Sequence, residues 1–185
     1  MQKAKNDNEL RMMLIAPIQR AIDGIVKQML SKNRELIQQI IYDVYDPVEY
    51  ERTGQFKEAW SIDYAKRLRT DYVEGGMYYD SRLLDVNPEM GQHASVVDGQ
   101  PMTEYLADVI YQGLSGTFGR GRARYASGSS YFKGQAWTKK RDVWTKLMNS
   151  YKAAEFKKLF KEELEKNGCA VKTYGTQIKI TDYYR

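Results

Sequence analysis

The amino-acid sequence predicts an α+β fold. It has a long N-terminal amphipathic helix, a small antiparallel sheet, a long C-terminal helix with one or two closing strands, and a long Gly/Arg-rich loop. Three observations carry this. Apolar residues recur at Leu14, Ile18, Ile22, Ile25, Met29, Leu36, Ile40 and Val44, at steps of three, four or seven that keep to one helical face. Trp60, Ile62 and Tyr64 alternate with Ser61 and Asp63, the period of a half-buried strand. A second helical stripe runs through Val143, Trp144, Leu147, Met148, Tyr151, Phe156, Leu159, Phe160 and Leu164. At 185 residues with 42% hydrophobic content, the chain is long enough for one domain with an ordinary core. The division expected is a single domain over 1–185, a flexible lead-in at 1–9 and a mobile loop or arm at 113–136.

The first helix is expected to begin near residue 16, because Pro17 is tolerated in a first turn and costly deeper in. Pro47 disfavours a helical predecessor, so the helix should end by Asp46. Such a helix would run ~45 Å, against a radius of gyration of ~16 Å for a compact globule of this length. It therefore spans the body, protrudes or breaks, with Ser31-Lys32-Asn33 as the place to break. Residues 46–56 read as a turn feeding a short helical segment, with Thr53 as its N-cap. A strand around Trp60–Tyr64 follows, then a Gly75-Gly76 turn and a second extended stretch from Met77 to Val86. Residues 87–100 read as a loop, and Pro101 to Gln112 as a helix ending at Gly113. The third long helix is placed at Lys139 to Asn167, closed by Gly168. Val171, Thr173 and Gln177–Ile180 close the chain as one or two strands turning near Gly175.

Charge is unevenly placed. The total is +5, but residues 1–100 carry a net −3 and residues 101–185 a net +8. Residues 113–152 hold nine basic side chains against Asp142 alone, and 113–136 holds six glycines. Such clustering suits a polyanion, an acidic partner surface or a solvated face. The 15 tyrosines supply large contact area with a polar tip, as protein interfaces and wet cores both require.

The chemistry of catalysis finds little to work with. One cysteine, Cys169, and one histidine, His93, exclude an intrachain disulfide, a multi-cysteine zinc site and any reaction needing two imidazoles. Cys169 is expected to pack as a small apolar residue, and His93 to hydrogen-bond within its loop. The glycines of 113–124 fall short of a phosphate loop, since Lys133-Gly134 reverses the order such a loop needs. Carboxylates are scattered without metal-ligand spacing. No catalytic residue, metal or cofactor is expected, and no stretch reaches the ~18 apolar residues of a membrane span. The start of the chain also lacks the apolar stretch of a signal peptide.

The informative chemistry is basic and aromatic. Arg120, Arg122 and Arg124 alternate, so extended backbone would present them on one side, and Lys133, Lys139, Lys140 and Arg141 follow. Phe118, Tyr125, Tyr131, Phe132 and Trp137 interleave with them. Cations release counterions from a phosphate backbone and rings stack on bases. The same segment would equally dock on an acidic protein, and both readings stay open.

The run Tyr45-Asp46-Pro47-Val48-Glu49-Tyr50-Glu51-Arg52-Thr53-Gly54-Gln55-Phe56, after a long amphipathic helix, resembles the "YxPxxYxRTxxL" junction of tailed-bacteriophage tail-completion and head–tail joining (neck) proteins. His93-Ala94-Ser95, Tyr105–Ile110 running into Gly113, the Gly-rich stretch, Arg141–Trp144 and Gly168 follow in matching order. The chain departs from that pattern in Phe56, where an aliphatic residue is commoner, and in its arginine-bearing loop. The resemblance implies a non-enzymatic virion protein, assembled in the host cytoplasm as a homo-oligomeric ring at the neck or tail top. Its implied partners are copies of itself, neighbouring neck, portal-side or tail-tube proteins, and genomic DNA touched non-specifically in the lumen. From the residues themselves, Pro47, Tyr50, Arg52, Thr53 and Phe56 form a structural corner, while the basic loop is the docking or DNA-facing element. The alternative is a soluble nucleic-acid-binding protein using residues 118–141.

Overall fold

A computed structural model describes residues 6–44, 54–69, 72–84, 96–97, 100–101, 107, 110–111, 141–175 and 177–183. The elements, in chain order, are helix α1 (Asp7–Ile37), continued by a π-helical turn (Gln38–Tyr42), helix α2 (Gln55–Glu58), strands β1 (Trp60–Arg69) and β2 (Tyr72–Tyr79), and a 3-10 turn (Ser81–Leu83). Two-residue strands β3 (Val96–Val97) and β4 (Gln100–Pro101) follow, then helices α3 (Val143–Ser150) and α4 (Ala153–Lys166) and strands β5 (Cys169–Tyr174) and β6 (Gln177–Tyr183). The class is α+β, as expected. The chain divides into two compact units, one of residues Met1–Lys32, Ile62–Tyr78 and Met148–Arg185, the other of Asn33–Ser61 and Tyr79–Leu147.

Several boundaries differ from the sequence expectation. Helix α1 starts at Asp7, not near residue 16, because Asn6 caps it: the Glu9 N–H donates to Asn6 Oδ1 at 2.9 Å. Asp7 and Glu9 stand in the first turn, where carboxylates complement the helix dipole. Residues 7–9 are therefore helix and not lead-in. Pro17 lies inside α1 and is fully buried, so packing of its ring offsets part of the lost hydrogen bond. No break occurs at Ser31–Asn33. Instead the helix widens at its end, where the Asp43 N–H reaches the Gln38 carbonyl at 2.9 Å, the i to i+5 bond of a π turn.

The N-cap of α2 is Gly54, at φ 74° and with no side-chain cap bond, so Thr53 does not hold that position. Gly75 and Gly76 lie within β2, not in a turn before it. Pro101, expected to open a helix, pairs with Val96 in the β3–β4 ladder; Ala107, Ile110 and Tyr111 are helical. The expected helix over Lys139–Asn167 begins only after Asp142 and is two helices, parted where Lys152 adopts extended backbone (ψ 159°). At its far end the expectation holds. Gly168 takes φ 83°, and its N–H bonds to the Glu165 carbonyl at 3.0 Å, the left-handed closure that glycine permits. Strands β5 and β6 then pair antiparallel, from Cys169↔Tyr183 to Tyr174↔Gln177, turning at Gly175 (φ 54°).

In the first unit, Ala21, Leu164 and Cys169 form a buried cluster, with Leu14, Ile18, Phe160 and Val171 packed against it. Cys169 is thus the small apolar residue expected, and burial raises its thiol pKa. Helix α1 grips strand β1 through its side chains. Asp23 Oδ1 accepts the Ala65 N–H at 2.6 Å, and Gln19 Nε2 donates to the Ala65 carbonyl at 3.1 Å. Both backbone groups that Ala65 presents to α1 are thereby satisfied, as buried peptide groups must be. Gly75 makes the close approach possible, because a Cβ there would stand 2.9 Å from Ile22 Cγ2 and 3.0 Å from Ala65 Cα. Helix α4 meets α1 at another glycine. The Glu163 carboxylate accepts from Gln28 (3.0 Å) and Lys166 (2.7 Å), and its Oε2 lies 2.3 Å from where a Gly24 Cβ would be.

Candidate functional site

Of the residues singled out from the sequence, Phe56 and Arg141 fall within the described set. Pro47, Tyr50, Arg52 and Thr53 of the junction lie outside it, as do Arg120, Arg122, Arg124, Lys133, Lys139, Lys140, His93 and the whole 113–136 segment. Arg141 is half-buried, and its N–H donates to the Ile110 carbonyl at 3.1 Å. Its backbone therefore ties the start of α3, where Val143 and Leu147 are fully buried, to the helical turn at Ile110.

Phe56 is the centre of the second unit. A four-residue helix positions it, and its ring lies 5.8 Å from Tyr79, 6.0 Å from Tyr111 and 6.5 Å from Trp60, edge-on to the last two. Trp60 stacks on Tyr111 at 5.7 Å and 16° and tilts against Tyr79 at 5.6 Å. These are the offset and edge-on geometries that ring quadrupoles favour. The Asp80 N–H donates to the Ala59 carbonyl at 2.8 Å, holding the strand ends that carry Trp60 and Tyr79. Phe56 thus sits in an aromatic cluster with Trp60, which its alternation marked only as a strand residue, and with Tyr79 and Tyr111; the other members of the expected corner, Pro47, Tyr50, Arg52 and Thr53, lie outside the described residues.

Polar groups are threaded through this cluster. Asn33, on α1, is fully buried, and its Oδ1 accepts from the Tyr111 hydroxyl at 3.4 Å. Its Nδ2, Trp60 Nε1 and Arg34 Nε are buried with no hydrogen-bond partner among the described residues. Arg34 uses Nη2 to reach Glu58 at 3.0 Å, and Lys57 reaches Gln38, which itself binds Asp43 at 2.7 Å. Burial pushes the Tyr79 phenol well above the ordinary tyrosine range, and burial likewise raises Tyr111. Both stay protonated at neutral pH. Asp80 is held low by the hydrogen bonds of Arg82.

Chemically this site is packed rings with hydrogen-bonding tips. Among the described residues there is no group of three or more His, Cys, Asp or Glu side chains able to hold a metal, and no helix long and apolar enough to cross a membrane. What the arrangement does is fix the exit of a long helix against a short one. The sequence reading passed over a second feature, the outward row of the β1–β2 ribbon, where Tyr64, Leu68, Tyr72 and Tyr78 are all exposed. Their period-two spacing was legible, but the polar residues between them disguised which side faced out.

No protein-family model matches the chain, and neither a curated protein nor a solved structure matches it.

Proposed function

We propose that this chain is a structural protein of a tailed-bacteriophage virion, assembling as a ring at the head–tail neck or tail top and joining the DNA-filled head to the tail. The observation that carries the reading is the Tyr45–Phe56 run, with its resemblance to the neck-protein junction, set between a long amphipathic helix and a buried aromatic corner. The packing of Phe56, Trp60, Tyr79 and Tyr111 around the exit of the longest helix suits a subunit held rigidly in a ring. The protein works without catalysis or cofactor. It contacts copies of itself and the neighbouring portal-side or tail-side proteins, and the basic segment containing Arg120, Arg122 and Arg124 faces either genomic DNA in the lumen or an acidic neighbour.

Native mass by light scattering, with negative-stain imaging at low and physiological salt, tests this. Closed rings of one size are the supporting result. The alternative, a soluble nucleic-acid-binding protein, is favoured by the concentration of charge in 113–152. A monomer that binds DNA tightly at physiological salt, with Arg122→Ala and Arg124→Ala each lowering the salt slope by about 0.9, would replace the neck reading with that one.

A further inference from the structure

The two edges of the β1–β2 ribbon are unlike. The N–H and C=O of Ala65 bond to Asp23 and Gln19 of α1, so they are not spent on β2, and α1 closes the outer edge of β1. Among the described residues β2 pairs with β1 alone, and no residue from Tyr72 to Tyr78 is buried. Its far edge is a row of backbone donors and acceptors with no strand of the first unit beside it. Folds blunt such edges with lysine, proline, a bulge or a covering segment. Between Tyr72 and Tyr78 there is neither proline nor cation, and Glu74 is the one charge. Gly76 is a second, independent sign. Glycine inside a strand weakens it and marks a bulge, a bend or the close approach of another backbone. Gly75 is accounted for by Ile22 and Ala65, but a Cβ on Gly76 would meet nothing within 4 Å, and its φ is not positive. Among the described residues nothing requires a glycine there.

The pattern of β2 says what pairs with that edge. Along a strand every second residue turns its N–H and C=O to a given edge, and residues directly opposite in an antiparallel pair both do so or both do not. A two-fold axis relating two copies of β2 therefore passes over a residue. Over Gly75 it sets Tyr72 opposite Tyr78, Val73 opposite Met77 and Glu74 opposite Gly76, with Gly75 against itself. Aromatic and aliphatic pairs of this kind stabilise neighbouring strands, and Tyr72 and Tyr78, 50% and 44% exposed, are free to meet. Each Glu74 falls opposite the missing side chain of Gly76, which gives that glycine its reason. An axis over Glu74 would set two carboxylates face to face, and one over Gly76 would lose the tyrosine pairs. A strand that matches itself in this way fits a second copy of this chain. We propose that the open edge of β2 is a self-pairing edge, on which β2 of a second copy adds antiparallel about a two-fold axis over Gly75 and joins the two ribbons into one four-stranded sheet. Such an isologous contact pairs two chains and cannot by itself close a larger ring. The contact is therefore separate from the ring interface of the neck reading, and its failure would leave that reading intact.

Cysteine cross-linking tests it on the full chain, whatever larger assembly the chain forms. Val73→Cys and Met77→Cys are mixed in equal amounts at up to about 200 μM, well above the micromolar range of an ordinary specific contact, with a mild added oxidant. The mixture should give a disulfide-linked dimer, because opposite residues of antiparallel strands lie within the Cα separation that a disulfide spans. Each variant alone should give none, since its two thiols would stand ~13 Å apart along the paired strands. Cys169 is buried and present in every sample, so it sets the background. Tyr72→Cys mixed with Tyr78→Cys repeats the test at exposed positions one pair further out, and stands in should the first pair fail to fold. Gly76→Lys and Gly76→Glu, each added to both cysteine variants, differ only in the charge set opposite Glu74. The concentration for half-maximal cross-linking should be lower with lysine than with glutamate on the order of tenfold. No cross-link in either mixture, equal yields from the single variants, or indifference to the charge at Gly76 would each overturn the proposal.

Discussion

Alanine at Gly75 and alanine at Gly76 are expected to move stability in opposite directions, although the two glycines are adjacent in β2. Neither has a positive φ, so alanine fits both backbones and removes unfolded-state freedom worth about 0.5–1 kcal/mol. At Gly76 nothing stands within 4 Å of the new methyl, and that gain should appear undiminished. At Gly75 the methyl would lie 2.9 Å from Ile22 Cγ2, 3.0 Å from Ala65 Cα and 3.1 Å from Ala65 N. Two of these atoms are backbone, and that backbone is pinned by Asp23 at 2.6 Å and Gln19 at 3.1 Å. Overpacking of this kind costs about 1–3 kcal/mol, leaving Gly75→Ala destabilising by about 0.5–2 kcal/mol after the entropic gain. Urea unfolding followed by circular dichroism reads the difference. With a slope of about 2–3 kcal/mol/M, the two midpoints should part by roughly 0.5–1 M, Gly76→Ala above the natural protein and Gly75→Ala below it. A Gly75→Ala midpoint equal to or above the natural one would refute the account of how α1 seats on the ribbon.

The contact of Gly24 with Glu163 should show as a change of sign. Gly24→Ala in the natural background should cost about 1–2 kcal/mol, because the carboxylate must leave Gln28 in a part-buried site. In a Glu163→Ala background the same change should stabilise by up to about 1 kcal/mol, as helix propensity dictates; a double-mutant cycle from denaturant titrations measures it. Phe56→Ala should cost about 3–5 kcal/mol, since it empties the centre of the aromatic corner, and thermal unfolding monitored by Trp fluorescence checks this. Tyr79 and Tyr111 have native pKa values above their unfolded ones, so their stabilisation is complete below about pH 10 and is lost as pH rises through the raised native values. Unfolding free energy should therefore begin to fall near about pH 10 and keep falling above it, and less steeply in Tyr79→Phe. Phenolate absorbance should show two tyrosines ionising only as the chain unfolds.

Much of the fold was legible because its signals are local. The apolar stripe from Leu14 to Leu36, the alternation at Trp60–Tyr64, and Gly168 and Gly175 each act through their own few residues. What was not legible depends on atoms far away in sequence. Pro17 reads as a helix start until its ring is seen buried. Asn33 reads as a helix breaker until Tyr111, 78 residues on, accounts for it. Gly75 reads as a turn residue because a sequence shows its missing side chain but not Ile22 pressed into the space. The division at Lys152 has no strong local breaker at all. For the candidate site, Phe56 was visible through its place in the junction run. Its partners Trp60, Tyr79 and Tyr111 were not, since rings from three segments meet only in the folded chain.

The claim that this chain is a neck component is tested most directly on the particles themselves. Gold-labelled antibody against the purified chain, applied to tailed particles assembled in cells that produce it, should mark the junction of head and tail and nowhere else. Mass spectrometry of the same particles should find the chain in a fixed ratio to the portal protein. Particles that lack the chain, or label scattered along the tail or over the head, would contradict the account.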